Sequence, residues 1–146
     1  MDARTRLITL VLALCALPAL CGQSVDAQTI KMSKALFREK VANLNSQEFK
    51  YIGDKPAIID FNATWCRPCR IMAPILEELS EEYKDRIYVY SIDVDDEPAL
   101  AALFGVSSIP ALLFIPMDGK IQASVGATTK ASVKKAIDTI LLPPAK

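Results

Sequence analysis

Hydrophobic residues along this chain follow two periods, one typical of buried strands and one typical of amphipathic helices. Residues 57–61 read Ala-Ile-Ile-Asp-Phe, a nearly continuous apolar run that follows Pro56 and is typical of a buried strand. Further along, apolar side chains recur at intervals of three and four, as on one face of a helix in which Pro74 is expected to cause a kink. These helical positions are Met72, Ile75, Leu76, Leu79 and Tyr83.

The remaining pattern predicts alternating helices and strands. Strands are predicted at residues 87–94, 110–115 and 121–125, with a short edge strand at 49–52. Helices are predicted at residues 33–43, 98–104 and 129–142, and the polar segment 22–32 is interpreted as a linker. Asp118-Gly119 predicts a hairpin between the last two strands. The order of elements predicts an α/β fold in which a mixed sheet carries helices on both faces.

Residues 1–27 have the pattern of a secretory signal segment. Two arginines are followed by an uncharged, mostly apolar run of 15 residues at 7–21, and residues 25–27 have the small-residue form of a cleavage site. An uncleaved anchor helix is the alternative, although a bilayer span needs about 20 residues. We therefore expect an exported domain at residues 28–146, located in the periplasm or another extracytoplasmic compartment.

A lipid anchor is a further alternative for the N-terminal segment. Cys21 is followed by Gly-Gln-Ser, which suits lipidation, but it is preceded by a bulky leucine where bacterial lipoprotein signals usually carry a small residue. Cys21 would then hold the protein at a membrane as a lipoprotein.

The charge balance and the absence of histidine exclude several function classes. Lys plus Arg and Asp plus Glu both number 17, and the resulting net charge of zero gives no general attraction to nucleic acid or to anionic membranes. No histidine occurs among the 146 residues. This excludes His-based acid–base catalysis, the serine triads built on it and most zinc sites. The chemistry must use thiols, carboxylates, lysines or hydroxyls.

Cys66 and Cys69 are the candidate reactive groups, because two residues separate them at a predicted strand-to-helix junction. This spacing places the sulfur atoms close enough to bond. Cys66 would lie at the helix N-terminus, where free backbone N–H groups and the helix dipole stabilise a thiolate. Arg67 adds a neighbouring positive charge, and Pro68 suits the first helical turn. Cys69, one turn further on, is expected to be shielded and less ionised.

Two alternatives to a redox role remain for this cysteine pair. A zinc site needs four ligands, and a single Cys-x-x-Cys without histidine supplies only two. A structural disulfide at this spacing would close a very small loop and would restrict the unfolded chain little. We therefore prefer a redox dithiol, which an exported chain permits and which requires no metal and no organic cofactor.

Asp60 is the charged member of the apolar run at 57–61, where a carboxylate is costly unless it is paired or protonated. The functional interpretation is a proton acceptor for Cys69, with the pKa of the carboxyl raised by burial. The alternative is a solvated carboxylate at a sheet edge. Residues 107–110, Ser-Ser-Ile-Pro, precede a predicted strand, and the pattern alone allows either a cis or a trans bond before Pro110.

Together these motifs resemble the thioredoxin family, and the resemblance covers residues 55–141. It rests on the spacing of several motifs, since a single Cys-x-x-Cys would be a weak signal. They are Asp-Phe-x-Ala-x-Trp-Cys-x-Pro-Cys at 60–69, Pro74, Asp93-x-Asp95, Gly-Val-x-x-Ile-Pro at 105–110, the Asp118-Gly119 hairpin and Val125-Gly126.

The resemblance implies a thioredoxin fold, with Pro110 cis beside the dithiol. It implies that Cys66 is the nucleophile, that Cys69 is the resolving thiol with which it forms the redox disulfide, and that Asp60 is a buried proton relay. It also implies that backbone groups of Ile109 hold an extended substrate strand. The substrate-binding positions that follow from it are Trp65, Arg67, Pro68, Ile109, Pro110 and Gly126.

Three positions depart from the family pattern. Arg67 stands where thioredoxins usually have glycine, Asn62 replaces an aromatic residue, and Ser91 replaces a lysine that often neighbours the buried aspartate. Loss of that lysine is expected to raise the proton affinity of Asp60. Arg67 is expected to favour the thiolate and so to make the disulfide more oxidising than that of an ordinary thioredoxin. The predicted helix at 33–43, as an extra N-terminal element, also sets this chain apart from a minimal member of the family.

The sequence therefore predicts an enzyme that exchanges disulfides with protein substrates. We expect a protein-disulfide reductase that an upstream thiol donor supplies with electrons. Net disulfide oxidase or isomerase activity is the alternative direction. The alternative class is a non-catalytic module that uses the same groove to bind extended peptides.

Overall fold

The computed structural model describes residues 29–45 and 48–144. The signal segment expected at residues 1–27 and the lipid-anchor position Cys21 lie outside the described residues. In the part of the chain that is described, none of the helices combines the length and the apolar character that crossing a bilayer requires.

The described strands form one mixed sheet. They are β1 (Ile30–Lys31), β2 (Ala57–Asn62), β3 (Tyr88–Asp93), β4 (Ala111–Ile115) and β5 (Gln122–Val125). Their order across the sheet is β1-β3-β2-β4-β5. The first three strands in that order are parallel, whereas β4 is antiparallel to β2 and β5 is antiparallel to β4. The predicted α/β fold with a mixed sheet is confirmed.

Helices cover both faces of this sheet. They are α1 (Lys34–Lys40), α2 (Arg67–Glu82), α3 (Pro98–Leu103) and α4 (Lys130–Ala136), which continues as a π-helical turn at Ile137–Leu141. Alternate residues of a strand point to opposite faces. Accordingly Ile59 packs in one core cluster with residues of α1 and α3, and Ile58 packs in a second cluster with residues of α2 and α4. The central strand β2 is therefore buried on both sides, as its apolar run predicts.

Several predicted elements differ from those of the structure. The linker predicted at 22–32 contains β1, where Ile30 pairs with Tyr90 of β3. A two-residue strand is too short to produce a period of its own. The edge strand predicted at 49–52 is wrong, because Tyr51 forms only an isolated bridge to Ala42.

The helix predicted at 33–43 is present but shorter. Ser33 caps α1 as expected, and its side chain accepts a hydrogen bond from the backbone N–H of Leu36 at 3.2 Å. The helix ends at the C-cap Val41. α2 is one continuous helix that contains Pro74.

Candidate active site

Cys66 and Cys69 form a disulfide where β2 passes into α2, with 2.05 Å between the sulfur atoms and 5.3 Å between the Cα atoms. Cys66 is the N-cap of α2, and its Sγ accepts a hydrogen bond from the backbone N–H of Cys69 at 3.3 Å. Pro68 lies in the first turn of α2, where the N–H that proline lacks would have had no partner in the helix. The predicted position of Cys66 at the helix N-terminus is confirmed. The backbone N–H of Cys69 and the positive end of the helix dipole therefore face this sulfur.

Both cysteines are only 4% exposed while the disulfide is formed. They pack with Ala63, and Val94 and Ile109 lie against this small cluster. Cys69 is shielded as expected, but Cys66 is shielded to the same extent. Burial therefore does not distinguish the two sulfurs in the oxidised protein, and their different neighbours must do so.

The segment before β4 lies beside the disulfide. The Ile109–Pro110 peptide bond is cis, as the resemblance implies. Gly126 donates its backbone N–H to the carbonyl of Pro110 at 2.8 Å, and its φ of 94° is one that other residues rarely adopt. The structure thus brings Ile109, Pro110 and Gly126 together, with Ile109 in direct contact with the disulfide cluster.

Trp65 and Arg67 flank Cys66 in sequence and are exposed to solvent. Trp65 is 66% exposed, which is high for the largest apolar side chain. The Trp65 ring beside the disulfide is therefore available for contact with a substrate. These two positions are therefore accessible to an incoming protein.

Asp60 lies on the central strand β2 and is only 4% exposed. Its neighbours in the sheet are Ser91 of β3 and Leu112 of β4. A solvated position at a sheet edge is therefore wrong. Burial raises the pKa of the Asp60 carboxyl from 3.8 to about 6, and a hydrogen bond from the Asn62 side chain opposes this rise.

Asp60 and Cys69 both line a cavity of about 240 Å³. Two buried oxygens, Asp60 Oδ1 and Thr29 Oγ1, have no hydrogen-bond partner among the described residues, and both residues line this cavity. A cavity of this volume with polar groups in its wall can accommodate water. It gives the buried carboxyl and the second cysteine a common compartment through which a proton can pass. Its other lining residues include Asn62, Arg70, Glu77 and Ser91.

The cavity contains residues whose contribution sequence reasoning missed. Asn62 and Ser91 were identified only as departures from a family pattern, and Thr29 was placed in a linker. The alternation of β2 gives a signal for Asn62, because residues 60 and 62 of a strand share a face. No comparable signal exists for Thr29. Among the described residues, no group of three or more His, Cys, Asp or Glu side chains is placed to hold a metal ion.

Comparison with known proteins agrees with this site. The Thioredoxin family model matches residues 28–139, a range that includes α1, so the expectation that this helix is extra to the family domain is not supported. Thioredoxin from Borreliella burgdorferi is 49% identical over 82 residues, which cover 56% of this chain and 70% of the relative. Thioredoxin from Buchnera aphidicola is 36% identical over 109 residues, covering 75% and 93%.

Among solved structures, that of chloroplastic thioredoxin z is similar to this chain, with a TM-score of 0.64 and 28% identity. The match covers 75% of this chain and 91% of that protein. The chain therefore belongs to the thioredoxin family, has the thioredoxin fold and is a thiol–disulfide oxidoreductase.

Proposed function

We propose that this oxidoreductase is an exported protein-disulfide reductase in which Cys66 attacks the substrate and Cys69 resolves the intermediate. One observation carries this assignment. Cys66 is the N-cap of α2, whereas Cys69 lines the cavity that it shares with the buried carboxyl of Asp60. The helix N-terminus stabilises an attacking thiolate, and a carboxylate with a raised pKa is suited to accept a proton from the second thiol.

The proposed reaction has two exchange steps. The thiolate of Cys66 attacks one sulfur of a substrate disulfide, forms a mixed disulfide and releases the other substrate sulfur as a thiolate. Asp60 then accepts the proton of Cys69, and the Cys69 thiolate attacks Cys66 Sγ. This attack forms the Cys66–Cys69 disulfide and releases the second substrate sulfur. Two electrons pass to the substrate, and an upstream thiol donor must return them to the protein.

Substrate binding is assigned to the surface around the disulfide. Trp65, Arg67 and Pro68 are exposed on one side, and Ile109 packs on the disulfide cluster from the other. Backbone groups at Ile109 would pair with an extended substrate segment and hold its disulfide over Cys66. The pairing involves main-chain atoms, which suits a reductase that acts on proteins of varied sequence.

Trapping distinguishes this mechanism from simple peptide binding. A Cys69→Ser variant of the reduced protein should accumulate mixed disulfides with a protein substrate such as insulin, since the resolving thiol is lost. Cys66→Ser is the matched control and should form none. The wild-type protein should accelerate insulin reduction by dithiothreitol. A folded wild-type sample that gives no acceleration, with no trapping by Cys69→Ser, would favour the non-catalytic module.

Export is proposed from the sequence of the first 27 residues. The supporting features are the basic start, the apolar run at 7–21 and the small residues at 25–27. The test is the mass of the mature protein after expression of the full chain in a bacterial host. A mass that corresponds to a start at Gln28, in the periplasmic fraction, is expected. A diacylglycerol-modified chain that starts at Cys21 would instead establish a lipoprotein.

A further inference from the structure

Three polar side chains form a row on the face of the sheet that α2 covers. Asp60 and Asn62 are two residues apart on β2 and therefore share a face. Ser91 is the register partner of Asp60 on the parallel strand β3, so its side chain joins them. The row lies along the cavity that also contains Cys69.

Asn62 is the donor at the centre of this row. Its Nδ2 lies 2.8 Å from Asp60 Oδ2 and 2.7 Å from Ser91 Oγ. A side-chain amide nitrogen carries two protons, and these two shorter bonds account for both, while the backbone carbonyl of Asp60 lies further from Nδ2, at 3.4 Å. An ionised carboxylate only accepts hydrogen bonds, and this requires that the nitrogen of Asn62 faces Asp60. The amide is thereby fixed from two sides.

The two oxygens of Asp60 consequently differ. Oδ2 accepts the bond from Asn62, whereas Oδ1 is buried and has no hydrogen-bond partner in residues 29–45 and 48–144. Oδ1 therefore has all of its acceptor capacity free, and Asp60 lines the cavity that Cys69 also lines.

We propose that Asn62 is a positioning residue for proton transfer: it holds Oδ2 of Asp60 so that Oδ1 takes up the proton of Cys69. This inference rests on the proposed function, in which Asp60 is the proton acceptor. In the reaction, the S–H bond of Cys69 breaks, an O–H bond forms at Oδ1, and the charge moves from the carboxylate to the sulfur. Before the transfer, the hydrogen bond from Asn62 stabilises the ionised carboxylate. A neutral amide does this here in the absence of the lysine that Ser91 replaces.

Among the described residues, the direct polar partner of the Asp60 side chain is Asn62. From α2, Cys69, Arg70 and Glu77 line the same cavity. From β3, Ser91 bonds to Asn62, and Asp93 accepts a hydrogen bond from the backbone N–H of Asp95. From β4, the neighbour is the apolar Leu112. The pKa of Asp60 reflects burial, which raises it, and the Asn62 bond, which lowers it.

The oxidised protein offers a direct test, since its disulfide does not titrate. Carbon-13 NMR of the Asp60 carboxyl should give a pKa of about 6 in the wild type. Asn62→Leu removes both donors at similar size, and Asn62→Ala is a second variant in case leucine disturbs packing. In each, the titration midpoint should rise by about 1 pH unit, a tenfold change in proton affinity. Ser91→Ala retains the bond to Asp60 and should move the midpoint by less than half as much.

A kinetic measurement completes the test. The rate at which Cys69 resolves a preformed mixed disulfide should depend on pH. In Asn62→Leu, the midpoint of this dependence should rise by the same amount as the titration midpoint of Asp60. An unchanged Asp60 midpoint in folded Asn62→Leu and Asn62→Ala would overturn the positioning role of Asn62 alone. A shifted Asp60 midpoint with an unshifted rate profile would overturn the role of Asp60 as proton acceptor, and the positioning inference with it.

Discussion

The indole N–H of Trp65 donates a hydrogen bond to Asp95 Oδ2 across 2.7 Å. This bond joins the residue before the disulfide to the turn that follows β3. Asp95 is itself held there, because its backbone N–H bonds to Asp93 Oδ1 at 2.9 Å. Since Trp65 is largely exposed, a hydrogen bond rather than burial orients its ring. A ring fixed before the substrate arrives loses little entropy on binding.

Asp95→Ala should therefore weaken substrate binding. We expect KM for a protein disulfide to rise by about 2- to 5-fold with kcat unchanged, the effect of losing one exposed hydrogen bond. Trp65 is the only tryptophan in the chain, so its fluorescence anisotropy should fall as the ring becomes mobile. Asp96→Ala is the matched control, since Asp96 pairs with Lys31. Equal changes in both variants would contradict the assigned role of Asp95.

Asp60 should make the oxidised protein less stable as pH rises. Its pKa is about 6 in the native state against 3.8 for the ordinary group. Between about pH 4 and pH 6 the native state thus binds more protons than the unfolded state, and the free energy of unfolding falls as pH rises. Above pH 6, the buried carboxylate lowers the free energy of unfolding by the full amount, about 3 kcal/mol.

Asp60→Asn removes the charge at similar size. Urea unfolding should show a gain of up to about 3 kcal/mol at pH 7 and little gain near pH 3.5. If Asp60→Asn were less stable than the wild type at pH 7, the buried charge of Asp60 would not be what lowers the free energy of unfolding.

Arg67 should make the Cys66–Cys69 disulfide more oxidising, because its charge favours the thiolate of the reduced protein. Arg67 is exposed, so its interaction is worth less than about 1 kcal/mol, or about 20 mV for two electrons. Equilibration with glutathione should show that Arg67→Gly has a more negative potential, while Arg67→Lys keeps the wild-type value. An unchanged or higher potential in Arg67→Gly would contradict this.

The same measurement separates reductase from oxidase. A reductase should have a potential near the thioredoxin value of about −270 mV, raised slightly by Arg67. A potential near the value of about −120 mV, found for a strong disulfide oxidant, would support the oxidase alternative.

Glu82 joins α2 to α4 through ion pairs with Lys130 and Lys134. All three side chains are at least a third exposed, and such pairs contribute little. Glu82→Gln should lower the free energy of unfolding by less than about 1 kcal/mol at low salt, and the difference should vanish at about 1 M salt. A loss that persists in high salt would indicate a packing role for Glu82 instead.

The main elements of the fold could be predicted because burial sets a clear period in them. β2 is buried on both faces, and α2 has one apolar face at helical spacing. Predictions failed where tertiary contacts decide the structure. β1 exists only because Ile30 and Lys31 pair with β3, and the helix predicted at 129–142 changes to a π-helical turn at Ile137.

The reactive cysteines could be found from their spacing at a predicted strand-to-helix junction, whereas the environment of the buried carboxyl could not. Asp60 was recognised as unusual from its apolar neighbours. Its hydrogen bond to Asn62 depends on the register of two strands and on the rotamer of the Asn62 amide. The residue types alone predict neither of these. The cavity likewise depends on Thr29, which is far from Asp60 in sequence and lines the same cavity.

Thr29 forms part of the wall around the buried acid, and it is held there by weak restraints. Its backbone N–H bonds to the exposed Glu77 at 3.2 Å, and the strand that follows has two residues. Fraying of a sheet margin costs less free energy than opening its centre. Solvent should therefore reach the Asp60 carboxyl when β1 detaches transiently from β3. Amide hydrogen exchange at Ile30 and Lys31 should then report how fast this buried carboxyl can exchange protons with solvent.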